Sequence, residues 1–427
     1  MDHFLYKNGV LHAEDVPLAE IAEAVGTPVY VYSRATLERH YRVFDEGLAS
    51  FPKRIVCFAV KANGSLAALA VLAKLGAGAD VVSEGEFRRA LAAGIPGEKV
   101  IFSGVGKTPD EMRFGLEQGV RQFNVESEPE LEALNAVAVQ RGVKAPVALR
   151  MNPDVDAKTH AKISTGKSEN KFGIPASQIA EAVRRAAQMP GIRLTGLAMH
   201  IGSQLTDLEP FAAAFARMRR MAEDLRAEGI SLERLDLGGG LGVPYEGRTN
   251  VLPPLPLDYG RVAEAALGDF VRETGAELAL EPGRLIAANA GILLSRVVYV
   301  KQGEGRRFLI LDSAMNDLMR PAMYDAWHDL VPVKEAPLDA PIGPYDVVGP
   351  VCETGDRFAE QRPLPPLVAG DLVAFRTAGA YGASMASEYN TRPLVPEVLV
   401  DGDRFAVTRP RPTYDEILSR DRIPDWL

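Results

Sequence analysis

The sequence predicts a (β/α)8 barrel, a TIM-type α/β fold, followed by a mainly β domain. Three observations predict it. Eight short apolar runs alternate with helical patterns between Arg54 and Gly283, helix-capping signals follow directly on several of those runs, and the texture turns β-rich after Arg284. A chain of 427 residues holds a barrel of about 250 residues and one further domain.

The barrel strands are expected in RIVCFAV from Arg54, ADVVS from Ala79, KVIFSG from Lys99, VRQFNVE from Val120, PVALRMN from Pro146, RLTGLAMHIG from Arg193, LERLDLGGG from Leu232 and ELALEPG from Glu277. Several lack alternation, as strands covered on both faces do. Helices are expected where Leu66, Leu69, Leu72 and Leu75 share a face, and where Phe211, Phe215, Met218, Ala222 and Leu225 do. Ser83 with Glu86, Thr108 with Glu111 and Ser127 with Glu130 read as capping boxes, and Pro109 and Pro129 suit a first turn. These features place a barrel at residues 34–288, and a β-rich domain at 1–33 and 289–427. In the latter, PVYVYS from Pro28 is expected to pair with the C-terminal strands, and Asp401-Gly402 reads as a hairpin turn. The connection from Asn152 to Gly173 exceeds the ~15 residues usual for a structureless loop, a length associated with function or mobility.

Composition excludes several classes. With 57 acidic against 48 basic residues, a net charge of −9 makes nucleic acid a poor partner. A hydrophobic share of 47% and a charged share of 25% are those of a globular chain with a sizeable core. No apolar run approaches the ~18 residues of a membrane span, and MDHFLYKNG carries no targeting pattern. Two cysteines, Cys57 and Cys352, neither staple a scaffold nor show metal spacing, so no metal is expected and a reducing, cytoplasmic setting is.

Chemistry concentrates at strand ends, where barrel active sites lie. FAVKAN puts Lys61 at the end of the first strand, where desolvation lowers a lysine's pKa and suits it to attack a carbonyl; the bland alternative is a snorkelling side chain. Gly238, Gly239 and Gly240 end the seventh strand, where glycine N–H groups approach phosphates or simply make a tight turn. Val243 at the third glycine position rules out a dinucleotide fingerprint, and SGVGKT from Ser103 lacks the first glycine of a P-loop. Glu281 and Arg284 end the eighth strand, as a partner for a protonated ring nitrogen and an anion clamp, or as a structural ion pair. His200 in MHIGSQ suits stacking on a planar ring, or simple polar satisfaction. Cys352 in GPVCETGD is a proton-handling thiol or a small hydrophobe.

FAVKAN, HIGSQ, LDLGGGLGV, EPGR, MRPAMY, GPVCE and AGAYG occur in an order that resembles the fold-type III pyridoxal-phosphate decarboxylases, whose barrel is alanine racemase-like. The likeness spans nearly the whole chain. It implies decarboxylation of meso-2,6-diaminopimelate to L-lysine with pyridoxal 5'-phosphate as cofactor. By position it implies that Lys61 holds the cofactor, His200 stacks on its ring, Glu281 pairs with its nitrogen, Ser203 and Gly238 to Gly240 hold its phosphate, and Tyr381 lies close by. It further implies that Arg284, Arg320 and Tyr324 bind the far carboxylate of the substrate and Glu353 its far amino group. Cys352 would deliver a proton from the second subunit of a homodimer with shared sites. Two arginines and a tyrosine suit a substrate that keeps a carboxylate at its far end. Where many relatives carry a second histidine, two residues before the stacking one, this chain has Ala198.

Other readings fit less well. Decarboxylases of ornithine, arginine or a carboxylated polyamine are disfavoured by the MRPAMY segment and by Glu353, where ornithine enzymes of this fold tend to place Asp. A racemase does not use a protonated ring. A non-catalytic cofactor carrier has no need of the β domain and Cys352.

Overall fold

The computed structural model describes residues 2–156, 171–246 and 252–427; most of the long connection after Asn152 therefore lies outside the described residues. The chain forms two compact units. One comprises Glu38–Pro244 and Asn250–Ile286, the other Met1–Leu37, Tyr245–Thr249 and Ala287–Leu427.

The first unit is a closed parallel barrel. Its strands are Arg54–Ala59, Gly78–Val81, Val100–Phe102, Gln122–Val125, Ala145–Asn152, Ile192–Ala198, Arg234–Asp236 and Glu277–Leu280, each beside its neighbour in sequence. Leu278 pairs with Arg54 to close the ring. Helices such as Glu209–Ala227 and Pro256–Thr274 bury one apolar face each, Phe211, Phe215 and Met218 in the former. Of the three expected capping boxes, Thr108 with Glu111 is the complete reciprocal one. Ser83 and Ser127 accept from the N–H groups of Glu86 and Glu130 as expected, but those glutamates reach back one residue further, to the N–H groups of Val82 and Glu126. The shift ties the strand end itself to the helix.

The second unit is built on antiparallel and mixed sheet. Val29–Ser33 sits in its middle, antiparallel to Gly291–Gln302 and parallel to Glu397–Asp401. The last hairpin turns one residue later than the sequence suggested: Asp401 pairs with Arg404, leaving Gly402 and Asp403 as the turn, with Gly402 at φ +64°. Tyr30, Leu293, Leu309, Val347 and Phe375 belong to one fully apolar cluster of this unit. Among the described residues no helix is long and apolar enough to cross a membrane.

Candidate active site

The barrel strands end in a ring of candidate functional side chains. Lys61 stands on a short turn of helix directly after the first strand, and its Nζ donates to Asp80 Oδ2 at 2.6 Å. Asp80 ends the second strand, is fully buried, and keeps its other oxygen without a partner among the described residues. A desolvated carboxylate beside the amine fixes where Lys61 can reach.

The eighth strand delivers Glu281, whose carboxyl is buried and accepts from Asn124 Nδ2 at 3.0 Å and Ser103 Oγ at 3.4 Å. Burial first, then the nearby Asp236 and Asp80 carboxyls, push Glu281 well above the usual carboxylate range, while Lys61 and Arg150 pull the other way. Glu281 therefore holds a proton more tightly than an ordinary carboxyl. His200 follows the sixth strand. Desolvation above all, and then Arg150 and Lys61, hold its imidazole well below its usual pKa, so the ring is uncharged. Its Nδ1 accepts from the Gly239 N–H at 3.2 Å, which leaves the proton on Nε2.

The glycine turn after the seventh strand is a matter of space. A Cβ on Gly239 would lie 2.2 Å from the Glu281 carbonyl oxygen, and one on Gly238, at φ +66°, would lie 2.4 Å from that of Met199. Three strand ends thus converge where only glycine fits. The expectation that a phosphate rests on Gly238 to Gly240 turns on which of their N–H groups are already engaged. Gly238 N–H is committed to Asp236 Oδ1 at 3.0 Å and Gly239 N–H to His200, which leaves Gly240 as the donor. Nearby, Ser203 Oγ accepts from Arg284 Nε at 3.2 Å and Nη2 at 3.0 Å. Lys61, His200, Ser203, Gly238 to Gly240, Glu281 and Arg284 are all brought to the same end of the barrel.

The remaining residues belong to the second unit. Arg320 opens the short helix Arg320–Tyr324, lies over the Tyr245 ring at 4.2 Å and meets His328 Nε2 at 2.7 Å. Tyr324 ends that helix, half-buried. Cys352 and Glu353 are exposed on a loop, where the Cys352 N–H donates to Asn390 Oδ1 at 3.1 Å. Tyr381 takes a left-handed backbone, φ +56°, in a glycine-rich turn.

Sequence reasoning missed Asp80, Ser103, Asn124 and Asp236. Their signal was a polar residue inside an apolar strand, as in ADVV and RLDL. Such a residue faces either the lumen or solvent, and only the closed barrel decides which.

Residues 34–288 match the family model for the pyridoxal binding domain of pyridoxal-dependent decarboxylases. The chain is 52% identical over 412 residues to a diaminopimelate decarboxylase of Vibrio cholerae, covering 96% of each protein. The chain belongs to the diaminopimelate decarboxylase family. A relative of the same name from Pseudomonas aeruginosa is 52% identical over 423 residues, 99% of each chain. The fold agrees. The crystal structure of diaminopimelate decarboxylase from M. jannaschii in co-complex with L-lysine superposes with a TM-score of 0.94 at 37% identity, covering 100% of this chain and 99% of that one.

Proposed function

We propose that the chain catalyses the pyridoxal-phosphate-dependent decarboxylation of meso-2,6-diaminopimelate to L-lysine and carbon dioxide. The observation that carries the reading is the buried Glu281 carboxyl, beside a turn that admits only glycine and within the field of Lys61.

The residues suit the cofactor. Lys61 would hold it covalently, Gly240 N–H and the Ser203 hydroxyl would hold its phosphate, and uncharged His200 would lie against its ring. Glu281 would pair with the ring nitrogen and keep it protonated, and Tyr381 would stand close by. When bound, pyridoxal phosphate supplies the electron sink for the pair that the departing carboxylate leaves behind.

The chain's own residues do the rest. Arg284, its fork held by Ser203, would bind the far carboxylate of the substrate with Arg320 and Tyr324, and Glu353 the far amino group. That clamp orients the substrate so that only the carboxylate at the other end is lost. The Cys352 thiol would deliver a proton to the substrate carbon from which carbon dioxide has left. Its exposure on a loop accords with delivery into a site of a second subunit in a cytoplasmic homodimer. Purified protein given pyridoxal phosphate and meso-2,6-diaminopimelate should release lysine and carbon dioxide in equal amounts. No release by protein carrying bound cofactor would overturn the substrate assignment.

A further inference from the structure

The lumen of the barrel holds a column of polar side chains whose purpose the reaction alone does not explain. It begins at Arg234, whose Nη1 donates to Gln122 Oε1 at 2.7 Å and whose Nε donates to Glu277 at 2.7 Å. Arginine has only donors, so Gln122 must turn its oxygen to it and its amide N–H groups the other way. Those donate to Asn124 Oδ1 at 2.7 Å and Asp236 Oδ2 at 3.1 Å. With its oxygen taken, Asn124 must in turn aim its N–H groups onward, at Asp236 Oδ2 and Glu281 Oε1, 3.1 and 3.0 Å away. One arginine therefore fixes the direction of every amide above it.

The column ends on two acids. Asp236 Oδ2 and Glu281 Oε1 accept from the same Asn124 Nδ2, and burial raises the pKa of both carboxyls, so the pair favours holding one proton between them. The donors decide where it sits. Asp236 receives three N–H groups, from Gln122, Asn124 and the Gly238 backbone, whereas Glu281 receives Asn124 and a longer contact from Ser103. The better-solvated acid takes the charge.

We propose that Asp236 is a positioning residue: a carboxylate held ionised by Gln122, Asn124 and the Gly238 N–H, which directs the proton of the pair to Glu281 and, through it, to the cofactor's ring nitrogen that Glu281 faces. The proposal rests on the assignment of Glu281 to that nitrogen. Of the other charges facing Glu281, Asp80 on the second strand acts with Asp236, while Lys61 and Arg150 act against it. The Cys57 thiol and the Tyr259 hydroxyl facing Asp236 are pushed up by burial and stay neutral.

The test uses full-length enzyme loaded with pyridoxal phosphate carrying nitrogen-15 in its ring, whose chemical shift reports ring protonation against pH. Asp236→Asn keeps the size and the acceptor for Gly238 but removes the charge. The pH at which the ring loses its proton should fall by about one unit or more, with cofactor still bound. Gln122→Leu, which strips one donor from Asp236, should shift it in the same direction by less, and serves if Asp236→Asn does not fold. A ring titration that moves in Glu281→Gln but stays fixed in the other variants overturns the role of Asp236 and leaves Glu281 in place. One that stays fixed in Glu281→Gln as well overturns the assignment of Glu281 itself.

Discussion

Where the barrel lumen buries Asp80, Gln122, Asn124, Asp236 and Glu281, the interior of the second unit buries Tyr30, Leu293, Leu309, Val347 and Phe375. Barrel lumens are ordinarily filled by layers of branched apolar side chains. Here that layer is small, Cys57, Ile101 and Ala279 with Ile55 packed against them. Buried polar groups are costly unless satisfied, and all of these except one Asp80 oxygen draw partners from different strands. The apolar cluster of the second unit needs no such agreement between strands. It follows that the lumen trades stability for polar side chains at the strand ends, whereas the second unit is free to hold the candidate residues Cys352 and Glu353 out on exposed loops.

The largest expected effect tests that division on turnover. Lys61→Ala should reduce activity on the order of ten-thousand-fold, and Cys352→Ala should slow product formation, neither variant unfolding because neither side chain is core. If the barrel of one subunit works with the loop of another, mixing the two variants restores part of the activity. Assays of mixtures with proven subunit exchange but no recovery would break the proposed sharing.

Stability should distinguish the two interiors next. Leu309→Ala leaves a cavity in the apolar cluster and should lower unfolding free energy by roughly 2–5 kcal/mol. Gln122→Leu adds apolar surface of similar size to the lumen, yet should also destabilise, by roughly 1–3 kcal/mol, since Asn124 and Arg234 lose a partner. Urea titrations in which Gln122→Leu matched or exceeded the parent would remove the claim that the lumen depends on its hydrogen bonds.

The smallest effect is one of pH and sharpens the contrast from the other side. In the apolar unit Asp317 is buried, and that burial raises its carboxyl from 3.8 to about 6. A raised carboxyl pKa means the folded state holds the proton more tightly than the unfolded chain. Its contribution to stability is complete below about pH 4 and is lost as pH rises through about 6. Asp317→Asn should therefore gain roughly 1–3 kcal/mol at pH 8 and nothing at pH 4. Equal gains at both pH values would assign the effect to packing instead.

The sequence was most legible where one residue's neighbours along the chain decide its fate. Strand runs such as RIVCFAV, the complete Thr108 box and the motif residues Lys61, His200 and Glu281 all lie where local pattern put them. It was least legible where partners come from other strands. Gln122 and Asn124 alternate on one face of RQFNV, but that this face meets Asp236 and Glu281 is set by barrel closure. The same holds for the glycine turn, where free N–H groups were expected and two proved to be committed to side chains from elsewhere. Short-range slips, one residue in the last hairpin and one in two of the caps, reflect geometry that several registers satisfy.

The strand Val29–Ser33 pairs with Gly291–Gln302 and Glu397–Asp401, roughly 250 and 360 residues later in synthesis. At about 5–20 residues per second, a ribosome making this chain leaves that apolar strand unpaired for on the order of ten seconds to a minute. The barrel segment is synthesised in the interval. An early-made, late-paired strand is an exposed edge during that wait, so it is there, rather than at the barrel, that a nascent chain of this protein has most need of a chaperone.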